Sequence, residues 1–139
     1  MVETKNMFLP NEEIYENLKT YINSKASVET WVGRNKTEKQ NPMIIFEEPR
    51  NELESYSTTY NNTTRVMSYN IEIYCSTLMN SYEIVKELAL LVVEVMQVYY
   101  KMNGGLTAII PTFDNKNKIS YQATLRFSTR FKPNRNKLF

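Results

Sequence analysis

Four glutamates, Glu47, Glu48, Glu52 and Glu54, crowd around Arg50 and form the densest set of chemistry-bearing side chains in the sequence. Carboxylates at that density are the raw material of a divalent-cation site. The Asp/Asn/Gly pattern of a calcium loop is missing, so a solvated acidic loop is the expectation and no metal is assigned. The basic counterpart lies toward the far end, in Arg126, Arg130, Lys132, Arg135 and Lys137. These side chains could meet phosphate or dock on an acidic neighbour. No helical reading head or aromatic-basic interleaving accompanies them, which ranks a DNA contact below a docking tail. Nucleophilic chemistry has little to work with. The one cysteine, Cys75, falls on the apolar face of an alternating segment, and there is no histidine anywhere to activate it. Only three glycines exist, with no phosphate-cradling loop among them. The expectation is a protein without catalytic residues or cofactor.

A chain of 139 residues with a formal net charge of +2 suits one domain, and the total charge argues for neither a nucleic-acid nor a membrane partner. The opening residues carry Glu3 and Lys5 with no apolar run behind them, so no signal peptide is expected and the chain reads as cytoplasmic. The longest apolar run, 88–93, lies between Glu87 and Glu94 and falls far short of the roughly 20 residues a membrane span needs. A soluble protein is the expectation.

Two helices are predicted to position these groups. The first covers 11–23, with Asn11 as cap and Ile14, Tyr15, Leu18, Tyr21 and Ile22 on one face. The second covers 81–102. Asn80 and Glu83 stand in a capping-box relation, and Gly104-Gly105 supplies a left-handed stop. Placed at about 100° per residue, Glu83, Lys86, Glu87, Glu94, Gln97 and Lys101 form a polar stripe, and Leu90 is the one apolar residue inside it. The remaining apolar arc is too wide for one sheet face, so the first helix or a neighbouring subunit must cover part of it.

Strands are read from alternation and apolar runs. A short extended segment is expected near Trp31, which suits a core or interface anchor, and a buried strand over 43–46. A projecting hairpin or long loop should fill 47–62. Residues 64–76 alternate Met67, Tyr69, Ile71, Ile73 and Cys75 against polar partners. Leu106, Ala108 and Ile110 then alternate up to Pro111, and Ile119 to Phe131 alternate over a long second arm. The predicted architecture is α+β: an antiparallel or mixed sheet with both helices packed on one face. Residues 1–131 are assigned to that domain, and 132–139 to a basic, flexible C-terminal tail.

The succession Pro42-Met43-Ile44-Ile45-Phe46, an Asn/Thr-rich segment, Tyr69-Asn70-Ile71-Glu72-Ile73-Tyr74-Cys75, a long helix containing Val85-Lys86-Glu87-Leu88, and a final long hairpin resembles the tail terminator or tail completion proteins of tailed bacteriophages. The resemblance spans about residues 11–131 and lies in order and texture. It implies a virion structural protein, assembled in the host cytoplasm into a hexameric ring at the head-proximal end of the tail tube. Such a ring stops tube growth and offers a surface to the neck, so the implied partners are other copies of the chain, the tail tube protein and a neck or connector protein. A head-to-tail connector is the alternative within that resemblance. A small nucleic-acid-binding regulator using the basic residues is the alternative outside it. The candidate interface residues are Glu47, Glu48, Glu52, Glu54, Leu90, Arg126, Arg130, Lys132, Arg135 and Lys137, with the acidic and basic groups expected to form opposed patches on different subunits.

Overall fold

Two alternating strands make the centre of the fold. The computed structural model describes residues 11–35, 42–55, 64–76, 80–113 and 119–131. In chain order its elements are α1 (Asn11–Lys25), β1 (Trp31–Gly33), β2 (Met43–Phe46), β3 (Arg50–Ser55), β4 (Thr64–Ser76), α2 (Ser81–Val93), β5 (Asn103–Phe113) and β6 (Ile119–Phe131). β4 and β6 run antiparallel from Arg65 opposite Phe131 to Ser76 opposite Ser120. Their odd-numbered residues Met67, Tyr69, Ile71, Ile73, Cys75, Ala123, Leu125 and Phe127 are buried, as a period of two requires.

The sheet order is β1-β2-β4-β6-β5, with β3 pairing the same side of β4 as β2 but further along it. β1 is parallel to β2 and the remaining pairs are antiparallel, so the sheet is mixed and the fold is α+β. Both helices lie on one face. Ile14, Leu18 and Ile22 of α1 and Ile84, Val85, Leu88 and Val92 of α2 join the odd-numbered strand residues in a single core. Fully burying each such side chain is worth about 1.5–3 kcal/mol, which is why the two described amphipathic helices both settle on this face.

The first helix does cover part of the wide apolar arc, and the polar stripe of α2 helps to hold it there. Tyr21 donates its hydroxyl hydrogen to the Glu94 carboxylate. Asn17 Nδ2 donates to Tyr100 Oη at 2.7 Å, and Ser27 donates from both its backbone N and its Oγ to Glu87, at 2.7 and 2.6 Å. Asn11 is tied to the sheet: its Oδ1 accepts the hydroxyl of the buried Tyr69 at 2.7 Å.

Several expectations are corrected. Asn80 makes no side-chain capping bond, and α2 begins with Ser81 buried beneath its first turn. The helix is not α-helical to its end: from Glu94 to Tyr99 it is π-helical. A wider turn rotates the side chains off the α-helical stripe, so Val95 and Met96 are buried while Val98 and Tyr99, counted in the apolar arc, face outward. The left-handed stop falls on Lys101, at φ 57°, and not on the glycine pair. Both glycines belong to β5, which starts at Asn103.

The simple alternation of Leu106, Ala108 and Ile110 is also broken. A bulge between Leu106 and Ala108 shifts the register, so Leu106 lies opposite the core residue Leu125 whereas Ile110 lies opposite the polar Gln122. Leu106 and Ile110 therefore point to different faces. The segment after Phe46 takes the hairpin alternative, with β3 as the first arm against β4. Pro111 sits in an edge strand, where its missing N–H is tolerated.

Candidate functional site

The sheet face away from the helices carries the most concentrated polar chemistry among the described residues. Its positions are set by register. Arg50 of β3 lies opposite Ser68 of β4, Ser68 opposite Ser128 of β6, and Ser128 opposite Asn103 of β5, so four polar residues form one transverse row. In the next row Asn70 lies opposite Arg126, and Arg126 opposite Gly105. Glu47 completes this second row, because its backbone N–H donates to the Asn70 carbonyl oxygen at 3.1 Å just after β2 ends. Apart from Gly105, these residues line a hollow of about 410 Å³ together with Glu48.

The hollow is bipolar. Glu47 and Glu48 stand on its β2 side, and Glu72 lies one row beyond Asn70 on β4, outside the lining. Burial first, and then the hydrogen bond that Tyr74 donates to Glu72 at 2.6 Å and the nearby Glu72 and Glu47 charges, push the Tyr74 phenol well above its ordinary pKa. Arg50 and Arg126 supply the opposite charge. Among the described residues neither the Glu47 nor the Arg126 side chain enters an ion pair or hydrogen bond. Asn70 Oδ1, between them, is buried and has no hydrogen-bond partner. The arrangement presents groups of both charge signs beside the hydroxyls of Ser68 and Ser128. Cys75 is on the opposite, core face, where burial pushes its thiol pKa up, outweighing the lowering effect of Ser81.

The predicted interface residues thus separate into groups. Glu47, Glu48 and Arg126 come together in one subunit's hollow. Glu52 and Glu54 are β3 strand positions whose side chains lie outside the described residues. Arg130 lies opposite Val66, on the same face as Arg126. Leu90 is 58% exposed on α2, as its place in the polar stripe implies. Lys132, Arg135 and Lys137, and with them the predicted tail, lie outside the described residues. Sequence reasoning missed Ser68, Asn70 and Ser128. The signal was present in the polar positions of β4 and β6, but only the pairing register shows which of them share a row.

Two other surfaces bear on association. An apolar groove of about 750 Å³ runs between α1 and the π-helical turns, lined by Tyr21, Ser24, Val95, Val98 and Tyr99, the last 70% exposed. At the sheet's edge, β5 has no strand on its outer side among the described residues. Its sequence, Asn103–Phe113, contains no charged residue. Leu106 and Ile110 on that strand are 44% and 52% exposed. No described helix is long and apolar enough to cross a membrane. No protein-family model matches the chain, and none of the curated proteins compared with it is similar in sequence.

Proposed function

We propose that this chain is a structural protein of a bacteriophage tail, assembling into a ring, a hexamer by the resemblance, at the head-proximal end of the tail tube. There it ends tube growth and presents the surface on which the head or neck attaches. The observation that carries the assembly part of this reading is the β5 edge. Among the described residues nothing pairs the outer side of this uncharged strand of eleven residues, and natural proteins normally guard such an edge with charge or cover it. Here the bulge and Pro111 guard it only in part, while Leu106 and Ile110 add apolar surface on both faces and Leu90 adds more on the neighbouring helix. A second subunit along this edge would satisfy the backbone and bury all three. The tail assignment is supported by the resemblance in order and texture.

Light scattering on the purified protein, with and without tail tube subunits, tests the assembly. The expected result is an oligomer, alone or on the tube, that Leu106→Asp weakens while leaving the monomer folded. A monomer that ignores the tube would refute it. Negative-stain imaging of particles lacking this protein tests the role: overlong tails are expected for a terminator, whereas normal tails detached from heads would assign the chain to the neck.

A further inference from the structure

Of the three glycines only Gly104 follows an asparagine, so Asn103-Gly104 is the one Asn-Gly pair in the chain. Both residues are exposed and line the open hollow, within reach of water. The Asn103 side chain makes no hydrogen bond among the described residues. The pair stands where β5 begins. Asn103 opposite Ser128 is the first rung of the ladder, and Gly104, at φ 118°, departs from regular strand geometry. Lys101, at φ 57°, bends the chain two residues earlier. A short, unbonded side-chain amide beside a residue with no side chain lets a backbone nitrogen reach the amide carbon with nothing in the way.

We propose that Asn103 is a self-modifying site that converts to aspartate or isoaspartate with water as the only co-reactant. The Gly104 backbone nitrogen attacks Asn103 Cγ and gives up its proton; the Cγ–Nδ2 bond breaks and ammonia leaves. The product is a succinimide ring made of Cα, Cβ, Cγ and C of Asn103 and N of Gly104. Water then opens it. Addition at Cγ breaks the newly formed bond to the Gly104 nitrogen and leaves an ordinary aspartate. Addition at the backbone carbonyl carbon leaves the chain running through Cγ, as isoaspartate. No atom is oxidised or reduced. Either product puts a carboxylate at the head of a strand that carries no charge. Arg126, two residues from Ser128, is the diagonal cross-strand neighbour of position 103, so the new charge has a cation within reach on the hollow side. Isoaspartate also lengthens the backbone by a methylene just before the rung of Gly104 and Phe127, which loosens the ladder there. The consequence for assembly rests on the reading of the β5 edge given above: a charge on that edge guards it, so unassembled copies lose competence as they age, while assembled copies have the edge covered.

Mass spectrometry of the full chain, held near pH 8 and digested at intervals, measures the reaction, with a synthetic peptide of residues 99–108 as the unfolded reference. The fragment containing Asn103 should gain the mass of an amide-to-acid exchange, and isoaspartyl methyltransferase should label it. The rate should stay within about tenfold of the reference, because the first rung of a ladder opens at little free-energy cost. It should fall as the pH is lowered to about 6, since attack needs the deprotonated nitrogen. Asn103→Gln should abolish the conversion with the thermal melt unchanged, because the longer side chain closes a larger, less favoured ring. Conversion more than about a hundredfold slower than in the peptide, or a rate that does not respond to pH, would overturn the proposal. Light scattering on Asn103→Asp then separates the consequence from the assembly reading. If neither Asn103→Asp nor Leu106→Asp weakens the oligomer, the edge reading fails; if Leu106→Asp alone weakens it, the guarding role of position 103 fails.

Discussion

Replacing Gly104 and Gly105 one at a time with alanine separates two roles that adjacent glycines can play. Gly104 has φ 118°, a conformation that L side chains rarely adopt, and a Cβ built on it would run into the carbonyl oxygen of Arg126 and lie 3.0 Å from the Phe127 Cα. Those neighbours are backbone of the central strand β6 and cannot swing aside. Backbone strain of this type costs about 1–3 kcal/mol, and forcing atoms into a packed site costs a similar amount. Gly104→Ala should therefore lose about 3 kcal/mol. At about 2.1 cal/mol/K per residue the unfolding entropy of a chain this long is roughly 0.3 kcal/mol/K, so the expected drop in Tm is about 10 °C. Gly105 has neither constraint. Gly105→Ala restricts the unfolded chain without a clash, and a gain of about 0.5 kcal/mol, or a Tm rise of about 2 °C, is expected. Differential scanning calorimetry on the two variants measures both. Equal losses at the two positions would refute the argument and would instead favour the glycine pair acting together as a helix stop.

Gly33→Ala should disturb the only tryptophan, because a Cβ at position 33 would fall within the ring of Trp31. The ring must move off its own strand, at a cost of about 1–3 kcal/mol, and tryptophan emission should shift to the red; an unchanged spectrum would show that the ring does not lie over the glycine. Stability should also fall at alkaline pH. Burial, reinforced by the charge of Tyr100, raises the Tyr69 phenol pKa, and burial is the leading cause of the rise at Tyr74 and Tyr100 as well. A raised native pKa means that the stabilisation is complete below the unfolded value of 10.0 and is lost as pH climbs through the native values. Denaturant melts between pH 8 and 11 should show the decline beginning near pH 9.0, where the raised Cys75 thiol contributes, and steepening above pH 10.0 as the tyrosines join; Tyr69→Phe should flatten the steeper part, and a decline as steep there in that variant would remove Tyr69 from the account.

The parts of the fold that were legible in the sequence are those governed by a single local period. Tyr69 to Cys75 and Ala123 to Phe127 alternate because one face is buried, and Ile14, Leu18 and Ile22 recur at helical spacing for the same reason. What was not legible depends on departures from a period. The π-helical turns at Glu94–Tyr99 replace the α repeat with a wider one, and nothing in Glu-Val-Met-Gln-Val-Tyr marks the change. The left-handed turn fell on Lys101 although glycines were available three and four positions further on. Gly104 was already required for the close approach of β5 to Arg126, so tertiary contact decided where the helix could end. The bulge near Thr107 likewise has a tertiary anchor, since Thr107 Oγ1 donates to the Thr124 carbonyl at 2.6 Å.

The hollow was less legible still, because it depends on how strands are aligned and not on any one of them. β2 and β3 share one side of β4, and between them the chain runs through Glu47, Glu48 and Pro49 without strand pairing. Pro49 has no N–H to offer a ladder, which favours a break at this point. The single backbone bond from Glu47 to Asn70 then fixes the acidic residue in the Asn70 row. On the other side, the β4–β6 register places Arg126 in that same row. A slip of one residue in that register would send Arg126 to the helix face and bring Leu125 out, at the cost of burying a charge and exposing a core leucine. The burial of Ala123, Leu125 and Phe127 therefore fixes where Arg126 points. The bipolar row is a consequence of the core pattern on the opposite face. Substitutions on the core side that tempt β6 to slip should disable the hollow before any of its own residues is touched.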